Sequence, residues 1–391
     1  MRRTSLAWKN LTHQPARTAV SVGGIAFAIL LMFMQLGFLG AVGDTATNVY
    51  RRMPCDLVLR SPEYLHVFDP RTIPDETLRW VGSLPEIGEV RPIDLTVAAW
   101  QNPETLEYRG VAVIGVDADR PALLLPELAE KLPLIRRKEN VLMDRTSRSD
   151  FGPRDGKQFG PQDVGALTDV TGKEIRIAGT FEMGTGLAAN GAMLINREGF
   201  QRIAPEDHSG RVSMVLVDLK PDVTVEAGAA AIRRRLAQIG GPASAIGVLT
   251  ADEAVSAERR RWYVETPIGM IFAMGVVLAV IVGGVICYMV LAGDVLAHLP
   301  EYATLKAMGY SNGYLCRVLL SQAFWLASIA LPPALVAALV LYVITSHLAG
   351  VPIQMTGFRV VLVAILSIVM CSSAGILALR KLAQVEPANL F

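Results

Sequence analysis

Four long stretches of the chain carry no Asp, Glu, Lys or Arg: Thr18–Gly43, Thr266–Gly293, Val318–Phe358 and Val360–Leu379. Each reaches the ~20 residues that a helix needs to cross the hydrocarbon core of a bilayer. The third is too long for a single span, and Pro332-Pro333 and His347-Leu348-Ala349-Gly350 punctuate it. We read it as a helix from Val318 to Ser346, kinked at the prolines, followed by a loop to Arg359. Between the first and second stretches the pattern changes. Asp56–Arg60, Val111–Val116, Glu174–Ile177 and Ser213–Leu219 alternate or are β-branched and read as strands. Val225–Ile239 places Ala229, Ile232, Leu236 and Ile239 near helical spacing. Helices are expected at both ends of this insert, over Asp44–Met53 and from Thr250-Ala251-Asp252-Glu253 through Tyr263, while Thr180–Asn190 is Gly-rich and reads as a loop. The prediction is a membrane protein with four transmembrane helices and a mixed α/β domain inserted between helices 1 and 2.

Charge supports that division. Residues 43–265 hold 28 Lys+Arg and 33 Asp+Glu, whereas the other 168 residues hold only 9 and 3. Over the whole chain 19% of residues are charged and mean hydropathy is +0.38, against about 25% charged in an ordinary soluble domain. A net charge of +1 gives no basic face for nucleic acid, which is therefore not expected as a partner. Arg2, Arg3, Lys9 and Arg17 precede the first span and Arg380-Lys381 closes the last. Four spans put both ends on one side, and the positive-inside rule makes that side cytoplasmic. The first apolar stretch exceeds the 7–15 residues typical of a signal-peptide core, and no small-residue cleavage site follows it, so we read it as a retained helix. The segment Arg2–His13 suits either a helix lying in the cytoplasmic membrane interface or a plain basic flank.

The organisation expected is then a cytoplasmic segment 1–17, span 18–43, periplasmic α/β domain 44–265 and span 266–293. A cytoplasmic loop 294–317, span 318–346, periplasmic loop 347–359, span 360–379 and cytoplasmic tail 380–391 complete it.

Motifs for chemistry are mostly missing. Gly156-Lys157 and Gly172-Lys173 lack the Ser/Thr and upstream Gly of a phosphate-binding loop. There is no H-E-x-x-H. The five histidines are scattered, and Cys55, Cys287, Cys316 and Cys371 make neither a disulfide framework nor a CxxC site. Asp117-Ala118-Asp119 after a strand reads as a turn, and Arg233–Arg235 and Arg259–Arg261 as solvated or headgroup-facing helix surface. The uncharged spans argue against an ion or proton path. No catalytic, cofactor or metal site is expected in this chain. Small residues recur every four positions at Gly275, Ala279 and Gly283, and again at Ser367, Cys371 and Gly375. That spacing lets helix backbones approach closely in lipid, whether within one four-helix bundle or at a homodimer seam.

The most informative segment is the loop Asp294–Tyr310. Pro300 suits the first position of a helix, Glu301 complements its positive end, Lys306 falls in the last turn and Gly309 is a natural terminator. About two turns are far too short to persist alone, so the lipid interface or a protein must hold them. Glu301–Tyr310 resembles the E-x-A-x-L-K-A-[ML]-G element of FtsX/MacB-like ABC transporter permeases, the type VII or mechanotransmission class, and is most similar to the DevC family. Ala7–Leu11, Thr266–Gly269, and Val141–Arg145 with Phe151-Gly152 share the resemblance.

The resemblance implies a MacB-like periplasmic core on an FtsX-like membrane domain, and a non-catalytic permease subunit with no cofactor of its own. ATP would be bound and hydrolysed by a separate ABC ATPase chain, on which Glu301, Tyr302, Leu305, Lys306, Met308 and Gly309 would form the coupling helix. It further implies a homodimer in the bacterial inner membrane, working with a periplasmic membrane-fusion adaptor and a TolC-like outer-membrane protein to export a lipid-like or other amphiphilic substrate. An FtsX-like permease that regulates a periplasmic cell-wall hydrolase and a Lol-like lipoprotein-releasing permease are the alternatives. The insert of about 220 residues favours export.

Overall fold

The computed structural model describes residues 15–120, 122, 128–184, 191–204, 208–297, 308, 312–349 and 353–383. In chain order the elements are α1 (Pro15–Ala46), α2 (Asn48–Arg51), β1 (Leu57–Arg60), β2 (Ile73–Pro74), α3 (Glu76–Gly82), β3 (Ile87–Gln101), β4 (Tyr108–Val116) and α4 (Leu128–Lys131). There follow β5 (Asn140–Asp144), β6 (Leu167–Val170), β7 (Lys173–Phe181), β8 (Ala192–Asn196), α5 (Arg197–Ile203), β9 (Arg211–Val212) and β10 (Met214–Leu219). The last are α6 (Val225–Ile239), β11 (Gly247–Thr250), α7 (Ala251–Val264), α8 (Pro267–Ala297), α9 (Asn312–Ala349) and α10 (Gly357–Ala383). The chain divides into two compact units, Val42–Thr266 and the segments on either side of it.

The inserted unit is built on one nine-stranded sheet of order β11-β1-β10-β3-β4-β8-β5-β7-β6. Strands β3 and β4 form a long hairpin running from Ile93 opposite Val116 to Gln101 opposite Tyr108. The pairs β4–β8 and β5–β7 are parallel. At its far edge β6 returns to β3 through Trp100 opposite Val170, so six strands close on themselves. Trp100, Val113, Met143, Phe151, Phe159, Ile177 and Met193 fill one face of the closed part. Ile114, Val116, Leu142 and Leu194, pointing the other way by the two-residue period of a strand, join Tyr50, Tyr64 and Phe181 in a second core. A third core lies under α6, where Ala229, Ile232 and Leu236 meet Leu57, Leu59, Val215 and Val217.

Local chemistry explains the boundaries. Thr224 caps α6 by accepting from the Ala227 amide, and Gly240 follows at φ +74°. Thr250 and Glu253 form a reciprocal capping box that starts α7. The helix expected over Asp44–Met53 is interrupted at Thr47, which separates α1 from α2. Thr180 and Phe181 of the Gly-rich run belong to β7, and residues 185–190 lie outside the described residues.

Outside that sheet, four helices among the described residues are long and apolar enough to cross a membrane: Thr18–Ala46, Pro267–Gly293, Cys316–Leu348 and Gly357–Ala378. The third carries Pro332 and Pro333 within one helix, Asn312–Ala349. Its buried face is an alanine row, Ala323, Ala327, Ala330, Ala334 and Ala338, at three- and four-residue spacing. Ile25, Ile29, Met32 and Phe33 from α1, Cys287, Leu291 and Val295 from α8, and Ala374 and Ala378 from α10 share this core. Phe38 and Phe272 stack at 5.1 Å. A Cβ at Gly283 would lie 2.7 Å from that of Ala28 and 2.5 Å from Met370 Sδ; one at Gly275 would strike the Gln35 side chain. Ala279 is buried between them.

Candidate functional site

Of the residues that the resemblance places in the coupling helix, Glu301, Tyr302, Leu305, Lys306 and Gly309 lie outside the described residues, as does Arg2–His13. Met308 is described and is exposed. The candidate site therefore has a sequence-defined part, the segment between α8 and α9, and two polar clusters whose geometry is on view, one in each unit.

The first cluster lies in the inserted unit, where α2 and α7 meet the loop after β1. Ala254, Glu258 and Trp262 recur every fourth residue on α7 and share its buried face. Glu258 has no solvent exposure. One carboxylate oxygen accepts from the Val67 amide (3.0 Å) and Trp262 Nε1 (2.9 Å), the other from the Tyr64 hydroxyl (2.6 Å). Tyr50 of α2 in turn donates to Tyr64 (2.9 Å). Burial, reinforced by the Glu258 charge, keeps both phenols protonated: Tyr50 is pushed up to about 12 and Tyr64 well above its ordinary value. The guanidinium of Arg60 lies 4.0 Å above the Tyr64 ring. Arg261, expected on solvated surface, donates to the carbonyls of Tyr64 and Leu65 and pairs with Glu265 at 3.0 Å. This chain of bonds ties the helix ends that border the insert to one loop. It was missed because a lone Glu among arginines reads as surface; the signal was its four-residue spacing from Ala254 and Trp262.

The second cluster belongs to the membrane unit. Arg359 is not at the end of a loop but in the first turn of α10, and is 9% exposed. Its guanidinium donates to the Gln354 carbonyl, and its amide to Thr356 Oγ1 (3.3 Å). The Tyr342 hydroxyl donates to the Phe33 carbonyl of α1. Gly37 and Gly40, one turn apart on α1, leave room for these two side chains: a Cβ at Gly40 would strike the Arg359 guanidinium, and one at Gly37 would lie 2.6 Å from Tyr342 Cζ. Glycine is needed here for close approach, not for turn geometry.

Elsewhere the candidate chemistry resolves into structure. The Asp119 amide donates to Asp117 Oδ1 at 2.9 Å, a side-chain-closed turn. Cys55 is half-buried, and burial, with the charge of Asp218, pushes its thiol up to about 12. Among the described residues no three His, Cys, Asp or Glu side chains are grouped as a metal site would need.

Residues 271–387 match the FtsX-like permease C-terminal domain. That part of the chain is similar to FtsX-like permeases. The matched range overlaps three of the four long apolar helices found among the described residues and includes the whole segment Asp294–Tyr310. No curated protein sequence matches the chain. Among solved structures it is similar to the extracellular domain of the noncanonic ABC-type transporter YknZ from Gram-positive bacteria, at 13% identity and a TM-score of 0.34, over 50% of this chain and 98% of that one. It is also similar to the periplasmic region of MacB from Actinobacillus actinomycetemcomitans, at 7% identity and a TM-score of 0.36, over 55% and 96%. A permease domain from Porphyromonas gingivalis matches at 12% and 0.31, over 51% and 89%.

Proposed function

We propose that this chain is an FtsX-like permease, the membrane subunit of an ATP-driven exporter in a bacterial inner membrane, and that it passes the motion of a separate ATPase to its inserted domain. The observation that carries the reading is the FtsX-like match over residues 271–387, which encloses Glu301–Gly309. In this reading both termini are cytoplasmic and the inserted domain is periplasmic. Two copies of the chain work with an adaptor and a TolC-like duct to export a lipid-like amphiphile. The hydrogen-bonded cluster at Glu258 supports it, because a rigid joint between α2 and α7 would make the helices at the two ends of the insert move together.

Glu301–Gly309 docks on the ATPase, with Tyr302 and Leu305 as apolar anchors at i and i+3. Truncating a buried interface anchor costs about 2 kcal/mol, roughly thirtyfold in affinity. Leu305→Ala and Glu301→Lys are expected to weaken co-purification of the ATPase while membrane insertion is retained. Wild-type ATPase binding by both variants would remove the coupling assignment and leave this helix to the lipid surface.

A further inference from the structure

Asn48 and Arg52 are four residues apart and share one face of α2 and its end. Asn48 Nδ2 donates to the carbonyls of Met183 (2.7 Å) and Gly184 (2.8 Å). Arg52 Nη1 donates to the carbonyl of Glu182 (2.7 Å), and its Nε to Asn48 Oδ1 (3.3 Å). Three consecutive carbonyls at the exit of β7 are thus gripped by the short helix that begins one residue after α1 ends.

Beside this grip lies Asp144, the last residue of β5, with no exposure. Its Oδ1 accepts from the Thr146 amide (3.0 Å), the Thr146 hydroxyl (2.9 Å) and the Met183 amide (3.2 Å). Its Oδ2 is equally buried and accepts nothing among the described residues. Burial pushes the carboxyl up, against the bonds from Thr146 and Met183 and the charge of Arg52, which pull it down. Arg52 Nη2 also makes no hydrogen bond among those residues. A buried acceptor without a donor is rare and costly in a native fold. Here it lies within the field of a guanidinium with a donor to spare.

We propose that Arg52 has two seats: the Glu182 carbonyl it holds here, and the vacant Oδ2 of Asp144, which it takes when α2 is displaced. The exchange gives up a bond from the guanidinium to a neutral carbonyl and gains one to a carboxylate, in which both partners are charged. The two arrangements are therefore discrete, as a switching element requires. The occupied seat fixes the strand exit at Glu182–Gly184 to α2, and the second frees it.

The inference rests on the proposed transfer of ATPase motion to the inserted domain. Its test uses the full chain with its ATPase in nanodiscs, with amide hydrogen exchange followed by mass spectrometry before and after trapping with ATP and vanadate. In the wild type, amides of the peptide spanning Glu182–Gly184 are expected to exchange about tenfold faster after trapping, a coupling of ordinary allosteric size. Asp144→Asn, which keeps Oδ1 and the shape but removes the anion, should abolish that change without lowering the unfolding temperature. Arg52→Gln should abolish it too, from a half-exposed position where folding is not at stake. If the wild type shows no trapping-dependent change anywhere in Val42–Thr266, the transfer of motion itself fails. If the change is present and survives in either variant, the second seat does not exist.

Discussion

Glu258 shows how much one side chain can hold. Its two oxygens satisfy an amide, an indole and a phenol that would otherwise be buried without partners. Removing a buried acceptor leaves the desolvation cost of each stranded donor. Glu258→Ala is therefore expected to destabilise the inserted domain by about 3 kcal/mol. For a domain of this size that lowers the unfolding temperature by roughly 10 °C, measurable by tryptophan fluorescence because Trp262 loses its bond directly. A shift below about 2 °C, under 1 kcal/mol by the same scaling, would show that water replaces the carboxylate at little cost. Asp94 is another carboxylate buried in the same domain, but it has a full cation partner: Arg197 bridges it at 2.8 Å and Asp75 at 2.9 Å. Burial still raises the Asp94 carboxyl, with Arg197 acting against it.

Among the elements, the close approaches of α1, α8 and α10 are the most exposed to test. At Gly283 an added side chain meets the fixed Cβ of Ala28, which cannot swing aside, whereas a Cβ at Gly23 meets nothing within 4 Å. Gly283→Val should destabilise the detergent-solubilised membrane unit by about 1–3 kcal/mol, while Gly23→Val should be close to neutral. Equal thermal stability for the two would mean that the helices are not packed as described. The four apolar helices, α6 and the strands around Val111–Val116 and Met214–Leu219 were legible in the sequence because their periodicity is set by burial on one face or on all. Strand β3 was not. Its stretch Arg91–Thr96 is buried on both faces yet includes Arg91, Pro92 and Asp94, so no alternation survives, and its polar groups are satisfied by residues far away in sequence. The same is true of the candidate site. The family element Glu301–Gly309 could be read as a local motif, but Glu258, Asn48 and Arg52 act through partners 130 to 194 positions distant, which no local pattern reports. Arg359 was hidden for a different reason: a single charge between two apolar runs looks like a loop, and only the glycines of α1 show that it is enclosed.

For the whole molecule the first expectation is topological. A reporter fused after Lys157 should signal from outside the cytoplasm and one fused after Phe391 from inside; an outside signal from the second would overturn the arrangement with both ends in the cytoplasm. The second concerns stiffness. The six-stranded closure of the inserted domain is fastened at Trp100 opposite Val170, with the Thr171 amide donating to the Ala99 carbonyl at 2.9 Å and the Thr168 hydroxyl to the Gln101 carbonyl. By contrast the neighbouring β3–β4 ladder runs through nine residue pairs. A load applied at Val42 and Thr266 is shared by every strand it crosses, and the joint with the fewest bonds stretches first. The barrel should therefore behave as a clasp: the Thr171 amide should exchange with solvent well before those of Val111–Val116, and a disulfide engineered across that fastening should make the domain stiffer without changing its fold.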